Sequence, residues 1–317
     1  MRELDAMQAK TLDLVAIGEP LIEFNQRDAA RPEFQMGFGG DTSNAVIAAA
    51  RLGARCGYIT QVGDDSFGSA LLALWQREGV ATEGVRVVAG APTGIYFVSH
   101  GAQGHEFTYR RAGSAASLMS PAGLPRELIT RASQLHVSGI SLAISPSACD
   151  TVFEAIAIAR AAGARISFDL NHRPRLWSAA RALEVTLQVL PHCDLFLPSV
   201  DEIAVLTGIE QPEQIIAWAH DHGARCVALK RGALGCMVSS GSHTTELQGF
   251  AVAPVDATGA GDCFAGAVLS QLARGASLVE AARVANIAAG LSTQGFGAVA
   301  PLPRWEQVRP LLRGNDT

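Results

Sequence analysis

The chain has 317 residues, of which 48% are hydrophobic and 17% charged, and its formal net charge is -5. The length fits one large α/β domain with an appendage, or two modest domains, and the composition provides a substantial core and excludes a largely disordered chain. The acidic balance argues against a nucleic-acid partner, which usually needs a basic surface. The first residues, MRELDAMQAKTLD, are polar and no apolar run is long enough to span a membrane, so we expect a cytoplasmic protein without membrane contact.

Short β-rich apolar runs alternate with Ala- and Leu-rich helical stretches along the chain. Near-continuous apolar strands separated by helices predict an α/β fold with a doubly wound, mostly parallel sheet flanked by helices. The predicted strands are 12–17, 55–60, 134–138, 165–169, 194–197, 225–230 and 235–239. The predicted helices are 43–52, 66–78, 147–162, 178–188, 200–207, 212–222, 262–274 and 277–292.

Two segments break this alternation. Residues 19–38 and 93–111 have the pattern of short strands joined by turns, and the second predicts a hairpin around Gly101–Gly104 because its arms alternate with period two. We expect both segments to form a small β-sheet lid over the mouth of the α/β domain. An exposed edge of this lid could pair with a second copy, so we also expect a homo-oligomer. The α/β domain itself is predicted to comprise 12–18, 39–92 and 112–317.

The segment Asp256–Asp262 carries the strongest functional signal. It reads DATGAGD and leads directly into the helical pattern CFAGAVLSQLAR. Gly259 and Gly261 permit tight backbone geometry, and the first N–H groups of the helix, including those of Ala260 and Gly261, would be free to bind a phosphoryl group. Asp262 would then act as the general base for an attacking hydroxyl. The alternative for this carboxylate is to cap its helix.

This segment is similar to the D-T-x-G-A-G-D signature of the ribokinase-like (PfkB) carbohydrate kinases, with Ala257 and Thr258 in the variable pair. The residues GGDTSNA at 39–45 resemble the N-terminal motif of that family. Because two motifs more than 200 residues apart occur in the right order, the likeness is specific, and it extends from about residue 12 to 303. It implies a ribokinase-like fold, ATP and Mg²⁺ as cofactors, and a β-lid built from the two irregular segments.

Within the family, the chain looks most like the kinases of 2-keto-3-deoxygluconate, a small sugar acid. The likeness rests on the blocks GEPLIEFN, YRRAGSAAS, HVSGISLAIS, FDLNHRPRLW and LKRGALG. It implies phosphorylation of the C6 hydroxyl, giving 2-keto-3-deoxy-6-phosphogluconate. It also implies that Tyr109, Arg111 and Arg173 hold the acid end, which calls for guanidinium and hydroxyl donors. The other sugar contacts that the likeness implies are Gly40, Asp41, Asn44 and Tyr96.

The resemblance also implies a nucleotide side of the site. Ser199 stands where many members have Asn, and Glu202 would organise Mg²⁺ through water, unless this segment is only a surface helix start. Asp256 and Thr258 would contribute to a monovalent cation site, such as a K⁺ site, as in some members. The implied nucleotide contacts are Ser199, Lys230, Gly232, Gly235, Gly259, Gly261 and Asn286.

Two other functions stay open from the sequence. The first is a related kinase for a neutral sugar such as fructose or ribose, against which the set Tyr109, Arg111 and Arg173 argues. The second is a non-catalytic sugar- or nucleotide-sensing protein on the same fold, which would not need Asp262 as a base. No Walker, nucleophile-elbow or H-E-x-x-H motif is present. The six cysteines form no C-x-x-C pair and are expected to be small buried hydrophobes.

Overall fold

The computed structural model describes residues 10–26, 31, 33–101, 104–241 and 243–314, and its strands form two separate sheets. The strands are β1 (Leu14–Ile17), β2 (Leu21–Gln26), β3 (Phe34–Gly39), β4 (Cys56–Gly63), β5 (Ala81–Val88), β6 (Ile95–Gly101), β7 (Gly104–Arg110), β8 (Gln134–Ser138), β9 (Arg165–Asp169), β10 (Leu195–Phe196), β11 (Cys226–Lys230), β12 (Cys236–Ser240) and β13 (His243–Leu247). The α-helices are α1 (Asp41–Arg51), α2 (Ser66–Arg77), α3 (Arg126–Thr130), α4 (Gly139–Ala143), α5 (Pro146–Ala161), α6 (Ala179–Val189), α7 (Val200–Thr207), α8 (Pro212–Asp221), α9 (Ala260–Ala273), α10 (Leu278–Ser292) and α11 (Trp305–Val308).

The large sheet has nine strands in the order β13-β12-β11-β10-β9-β8-β1-β4-β5. All neighbours from β11 to β5 pair in parallel, and β12 and β13 extend one edge in antiparallel pairs. Alternate residues of β1 point to opposite faces, as a strand requires. Leu14 and Ala16 therefore pack into one hydrophobic cluster with α1, α9 and α10, whereas Val15 and Ile17 pack into another with α5 and α6. This two-faced core confirms the predicted doubly wound α/β fold.

The second sheet, called the small sheet below, has the strand order β3-β2-β6-β7. Its strands come from the two segments that broke the helix–strand alternation, and its central pair joins Ile22 to Ile95 in parallel register. The predicted hairpin is present as the antiparallel pair β6–β7, with Gly101 opposite Gly104; residues 102–103 lie outside the described residues. The predicted small β-sheet, built from segments 19–38 and 93–111, is thus confirmed. The role of this sheet as a lid and the predicted domain bounds stay predictions.

The sequence patterns missed the outermost strand at each end of the large sheet. Most β5 residues are partly or fully exposed, and β13 is largely exposed, so neither shows the apolar run of a central strand. Helix α9 begins at Ala260, two residues before the predicted start. None of the described helices has both the length and the apolarity that crossing a bilayer requires.

Gly40 makes the tight connection between the small sheet and α1. Its φ is +104°, and a Cβ added there would lie 2.4 Å from the carbonyl oxygen of Glu19. We expect Gly40→Ala to lower the free energy of unfolding by about 1–3 kcal/mol, because alanine meets both backbone strain and a backbone atom. Urea denaturation measures this loss. Gly79→Ala is the matched control, since its φ is +72° but no atom lies within 4 Å of the added Cβ. Equal losses in the two variants would contradict the steric argument.

Candidate active site

The candidate site lies at the carboxyl ends of the parallel strands, where open α/β sheets bind ligands. Asp169 is the last residue of β9 and Lys230 is the last residue of β11. Helices α1 and α9 both begin at this edge, and their first turns supply Asp41 and Asp262. Residues that are far apart in the sequence therefore meet because parallel strands all end on the same side of the sheet.

Asp262 is the third residue of α9, and its carboxylate points across to α1. Oδ2 accepts a hydrogen bond from Asn44 Nδ2 at 2.8 Å, and Oδ1 accepts one from Asn171 Nδ2 at 3.4 Å. The N-cap of α9 is Gly259, with φ +77°. The carboxylate thus bonds to side chains of other elements, which does not fit the alternative in which it only caps its own helix.

The surroundings of Asp262 favour its protonated form. Burial raises its pKa to about 8, and the nearby carboxylates of Asp41 and Asp169 add to the increase. The hydrogen bond from Asn44 and the charge of Arg173 oppose it. A raised pKa makes the ionised carboxylate a stronger base than an exposed aspartate, so Asp262 suits general-base chemistry in the fraction of molecules, growing as the pH rises toward 8, in which it is ionised.

The first amides of α9 form only part of the predicted anion site. Ala260 N–H donates to the carbonyl of Ala257 at 3.2 Å, so the prediction that this amide is free is wrong. Among the described residues, the N–H groups of Gly261 and Asp262 have no hydrogen-bond acceptor. A Cβ placed on Gly261 would lie 3.6 Å from Lys230 Nζ. Two amides and an ammonium group therefore converge beside Asp262, as binding of a phosphoryl group requires.

Lys230 is held by a buried ion pair. Its Nζ lies 2.8 Å and 2.7 Å from the two carboxylate oxygens of Asp169. Burial alone would lower the pKa of Lys230, but the surrounding carboxylates raise it above its ordinary value. Burial raises the pKa of Asp169 to about 6, although Lys230 acts in the opposite direction. The ammonium therefore stays charged at neutral pH.

Two buried oxygens in this region have no donor within the described part of the chain. They are Asp41 Oδ1 and Asn44 Oδ1, both on the first turns of α1. Buried polar atoms are normally hydrogen-bonded, so a ligand or an ordered water would supply the missing donors. Sugar hydroxyls would do so, which agrees with the predicted sugar-binding role of Asp41 and Asn44.

The predicted acid-binding residues fall into two groups. Arg111 forms a buried ion pair with Glu19, and its guanidinium carbon lies 5.5 Å from the centre of the Tyr109 ring. Its Nε is buried without a hydrogen-bond acceptor among the described residues. Arg173 instead is exposed, donates to the carbonyl of His172 at 3.0 Å, and has no carboxylate within ion-pair distance in the described ranges. Of the two predicted acid-binding arginines, Arg173 is therefore the one that forms no ion pair with a described carboxylate.

Tyr96 is buried in the small sheet and has a partner within the protein. Its hydroxyl donates to Glu23, and its ring stacks on Tyr109 with 5.7 Å between the ring centres. A Cβ on Gly39 would lie 2.5 Å from the Tyr96 hydroxyl oxygen, so glycine is needed for this close approach. Burial raises the pKa of Glu23, and the hydrogen bond from Tyr96 acts in the opposite direction. The predicted contact between Tyr96 and a sugar stays a prediction.

On the predicted nucleotide side, Ser199 and Glu202 form a capping box at the start of α7. Both oxygens of Glu202 accept backbone N–H groups, from His172 at 3.0 Å and from Ser199 at 2.9 Å. The described residues contain no cluster of three or more metal-binding side chains. These contacts are those of a helix start, and the predicted action of Glu202 on Mg²⁺ through water stays a prediction.

The remaining predicted nucleotide and cation residues make structural contacts. Asn286 Nδ2 donates to the carbonyls of Leu247 and Gln248 at the end of β13. Asp256 accepts hydrogen bonds from the backbone and hydroxyl of Thr258 and from Gly297 N–H. The turn after β11 contains Gly232 and Gly235, both with positive φ. Their predicted contacts with ATP or K⁺ stay predictions.

Sequence reasoning missed several residues that the fold brings to the site. Asn171 contacts Asp262, Asp169 binds Lys230, and Glu19 binds Arg111. Asp169 and Asn171 were detectable, because one ends the predicted strand 165–169 and the other follows it by two residues, at the edge where ligands bind. Glu19 offered the same signal, since it follows the predicted strand 12–17 by two residues, but nothing in the sequence indicated that its partner would be Arg111, 92 residues away.

The fold and the site define an α/β carbohydrate kinase. The model of pfkB family carbohydrate kinases matches residues 11–305, and the chain belongs to this family, as the motifs predicted. It is 34% identical to 2-dehydro-3-deoxygluconokinase of Bacillus subtilis (strain 168), over 96% of this chain and 97% of the relative. It is also 34% identical to fructokinase-1 of Zea mays, over 94% and 97% respectively. An E. coli protein solved with ATP and Mg²⁺ is 27% identical, with a TM-score of 0.88 over 97% of this chain and 100% of that one.

Proposed function

We propose that this kinase transfers the terminal phosphoryl group of ATP to the C6 hydroxyl of 2-keto-3-deoxygluconate, giving 2-keto-3-deoxy-6-phosphogluconate. The sugar-acid assignment depends on one observation about Arg173. Its guanidinium lies near Asp262 at the carboxyl ends of the parallel strands and forms no ion pair with a carboxylate of the described residues. Relatives named for this sugar acid and for fructose are equally similar to the chain, so overall identity does not discriminate between them.

The proposed chemistry begins with the hydroxyl that attacks. Asp262 accepts its proton, while Asn44 and Asn171 hold the carboxylate in place. The free N–H groups of Gly261 and Asp262, together with Lys230, stabilise the negative charge of the phosphoryl group in transit. ATP supplies the phosphoryl group, and Mg²⁺ offsets its charge when bound, with Glu202 acting through water.

The proposed recognition of the sugar acid uses charge and hydrogen bonds together. Asp41 Oδ1 and Asn44 Oδ1 accept hydroxyl donors, and the buried Nε of Arg111 donates to an oxygen of the substrate. Because Glu19 already neutralises Arg111, the carboxylate of the substrate is paired by Arg173. We further propose that the small sheet, through Tyr96 and Tyr109, acts as the lid that excludes water from this reaction.

We expect Arg173→Ala to raise KM for 2-keto-3-deoxygluconate by roughly 10–100-fold, because a charge-assisted hydrogen bond to the carboxylate is lost. The KM for fructose should change little, since fructose has no carboxylate. Steady-state assays with coupled ADP detection measure both values.

Arg181→Ala is the control for this substitution, because Arg181 is also exposed and its charge pairs with Glu184 on α6. Equal losses for both sugars in Arg173→Ala would contradict the carboxylate assignment. A substrate panel on the unmodified enzyme tests the alternative directly: a higher kcat/KM for fructose or ribose than for the sugar acid would establish the neutral-sugar kinase.

A further inference from the structure

Asn171 occupies an unusual place in the candidate site. It is 6% exposed, and its φ of +38° makes it the only non-glycine residue with positive φ in the described part of the chain. Such a conformation is costly for most residues, although asparagine tolerates it better than others. Strained residues of this kind cluster at functional sites, so its contacts need an explanation.

The side-chain amide of Asn171 lies between two carboxylates. Its Nδ2 donates to Asp41 Oδ2 at 3.2 Å and to Asp262 Oδ1 at 3.4 Å. A side-chain amide nitrogen carries two hydrogens, so each carboxylate can take one of them. Two acidic groups near each other repel when both are ionised, and a shared donor reduces this repulsion.

The backbone on either side of Asn171 is fixed as well. Its own N–H donates to Asp169 Oδ1 at 3.2 Å, and Asp169 is bound by Lys230. The next N–H, of His172, donates to Glu202 at 3.0 Å. The bends of this segment are thus held from the ends of β9 and β11 and from the start of α7, which keeps the amide directed at Asp41 and Asp262.

We propose that Asn171 is a positioning residue whose side-chain amide holds the carboxylates of Asp262 and Asp41 apart and oriented, so that Asp262 accepts the hydroxyl proton while Asp41 binds a sugar hydroxyl. The inference rests on the proposed role of Asp262 as the base. It assigns to Asn171 no contact with the reacting atoms.

The other groups that face Asp262 do not duplicate this role. Asn44 binds the opposite carboxylate oxygen, and Lys230 is already paired with Asp169. The charged and titratable groups that influence Asp262 from the surrounding elements are Asp41 on α1, Tyr96 on β6, Asp169 on β9, Arg173 in the loop after β9 and Lys230 on β11.

The test compares kcat/KM against pH for the unmodified enzyme, Asn171→Gly and Asn171→Asp. Glycine accepts the positive φ without strain, so it removes the amide while preserving the backbone. Removing a donor from the ionised form of Asp262 raises its pKa, and the base is active only above that pKa. We therefore expect the acidic limb of the profile to move up by about one pH unit in Asn171→Gly, with about tenfold lower kcat/KM on that limb and recovery at high pH.

Asn171→Asp keeps the size of the side chain but adds a third carboxylate, so a larger shift in the same direction is expected. ATP binding by calorimetry and the melting temperature establish that each variant is folded. An equal loss of kcat/KM at every pH, with the acidic limb unmoved, would show a merely structural role and overturn the inference.

Asp262→Asn separates this inference from the proposal on which it rests. If the acidic limb disappears in Asp262→Asn but is unmoved in Asn171→Gly, Asp262 is the base and the positioning role of Asn171 is wrong. If Asp262→Asn keeps both its turnover and its acidic limb, the base assignment fails, and the inference about Asn171 fails with it.

Discussion

Asp262→Asn is expected to lower kcat by roughly 10²–10⁴-fold, because the amide cannot accept the proton of the attacking hydroxyl. Asparagine has nearly the same shape, and its Oδ1 can still accept from Asn171 Nδ2, while its Nδ2 can donate to Asn44 once the Asn44 amide flips to present its oxygen. The affinity for ATP should therefore survive, and calorimetry with a non-hydrolysable ATP analogue measures it. Turnover close to that of the unmodified enzyme would remove Asp262 from the chemistry.

The same substitution also has a consequence for the pH dependence of stability. The pKa of Asp262 is raised by burial from 3.8 to about 8 in the folded protein. The folded state thus holds a proton that the unfolded state releases, and this contribution to stability is present below pH 3.8 and is lost as the pH rises through 8. Because asparagine does not ionise, the unfolding free energy of the variant should fall less between pH 5 and 8, as measured by urea denaturation at several pH values. A steeper fall would contradict the raised pKa.

Lys230→Met is expected to lower the free energy of unfolding at pH 7 by about 3–5 kcal/mol, since it leaves the buried carboxylate of Asp169 without its partner. The loss of unfolding free energy should be smaller at pH 5. Burial raises the pKa of Asp169 to about 6 even beside Lys230, so the carboxyl is mostly protonated at that pH. Urea denaturation at the two pH values measures both effects. The same loss at pH 5 and at pH 7 would show that the ion pair is not its origin.

Two further variants serve as controls for Lys230→Met. Asp169→Asn combined with Lys230→Met removes both charges and should recover much of the lost stability, as replacing a whole buried pair costs less than breaking one. Arg181→Met breaks an exposed pair with Glu184 on α6 and should change stability little. A double variant as unstable as Lys230→Met alone would indicate a packing defect.

The sequence predicted most of the fold because its central strands are buried on both faces. Strands 134–138 and 165–169 and helix 200–207 coincide with β8, β9 and α7, since buried apolar runs and helix start signals are local features. The two edge strands β5 and β13 escaped detection because one side of an edge is open to water and accepts polar residues. The motif at 256–262 correctly predicted Asp262 near a helix start. The expectation of a free Ala260 amide was wrong, because this N–H donates to the carbonyl of Ala257 in a local turn.

The sequence by itself determined the family, the large parallel sheet and the carboxylate at position 262, because these depend on residues that are neighbours along the chain. Only the tertiary structure decided that Asn171 would bridge Asp41 and Asp262, that Lys230 would be bound to Asp169, and that Glu19 would neutralise Arg111. Each of these contacts joins residues that are 61 to 130 positions apart. These residues become partners because the fold brings particular strand ends and helix starts together at one edge of the sheet. Local sequence patterns do not contain that information.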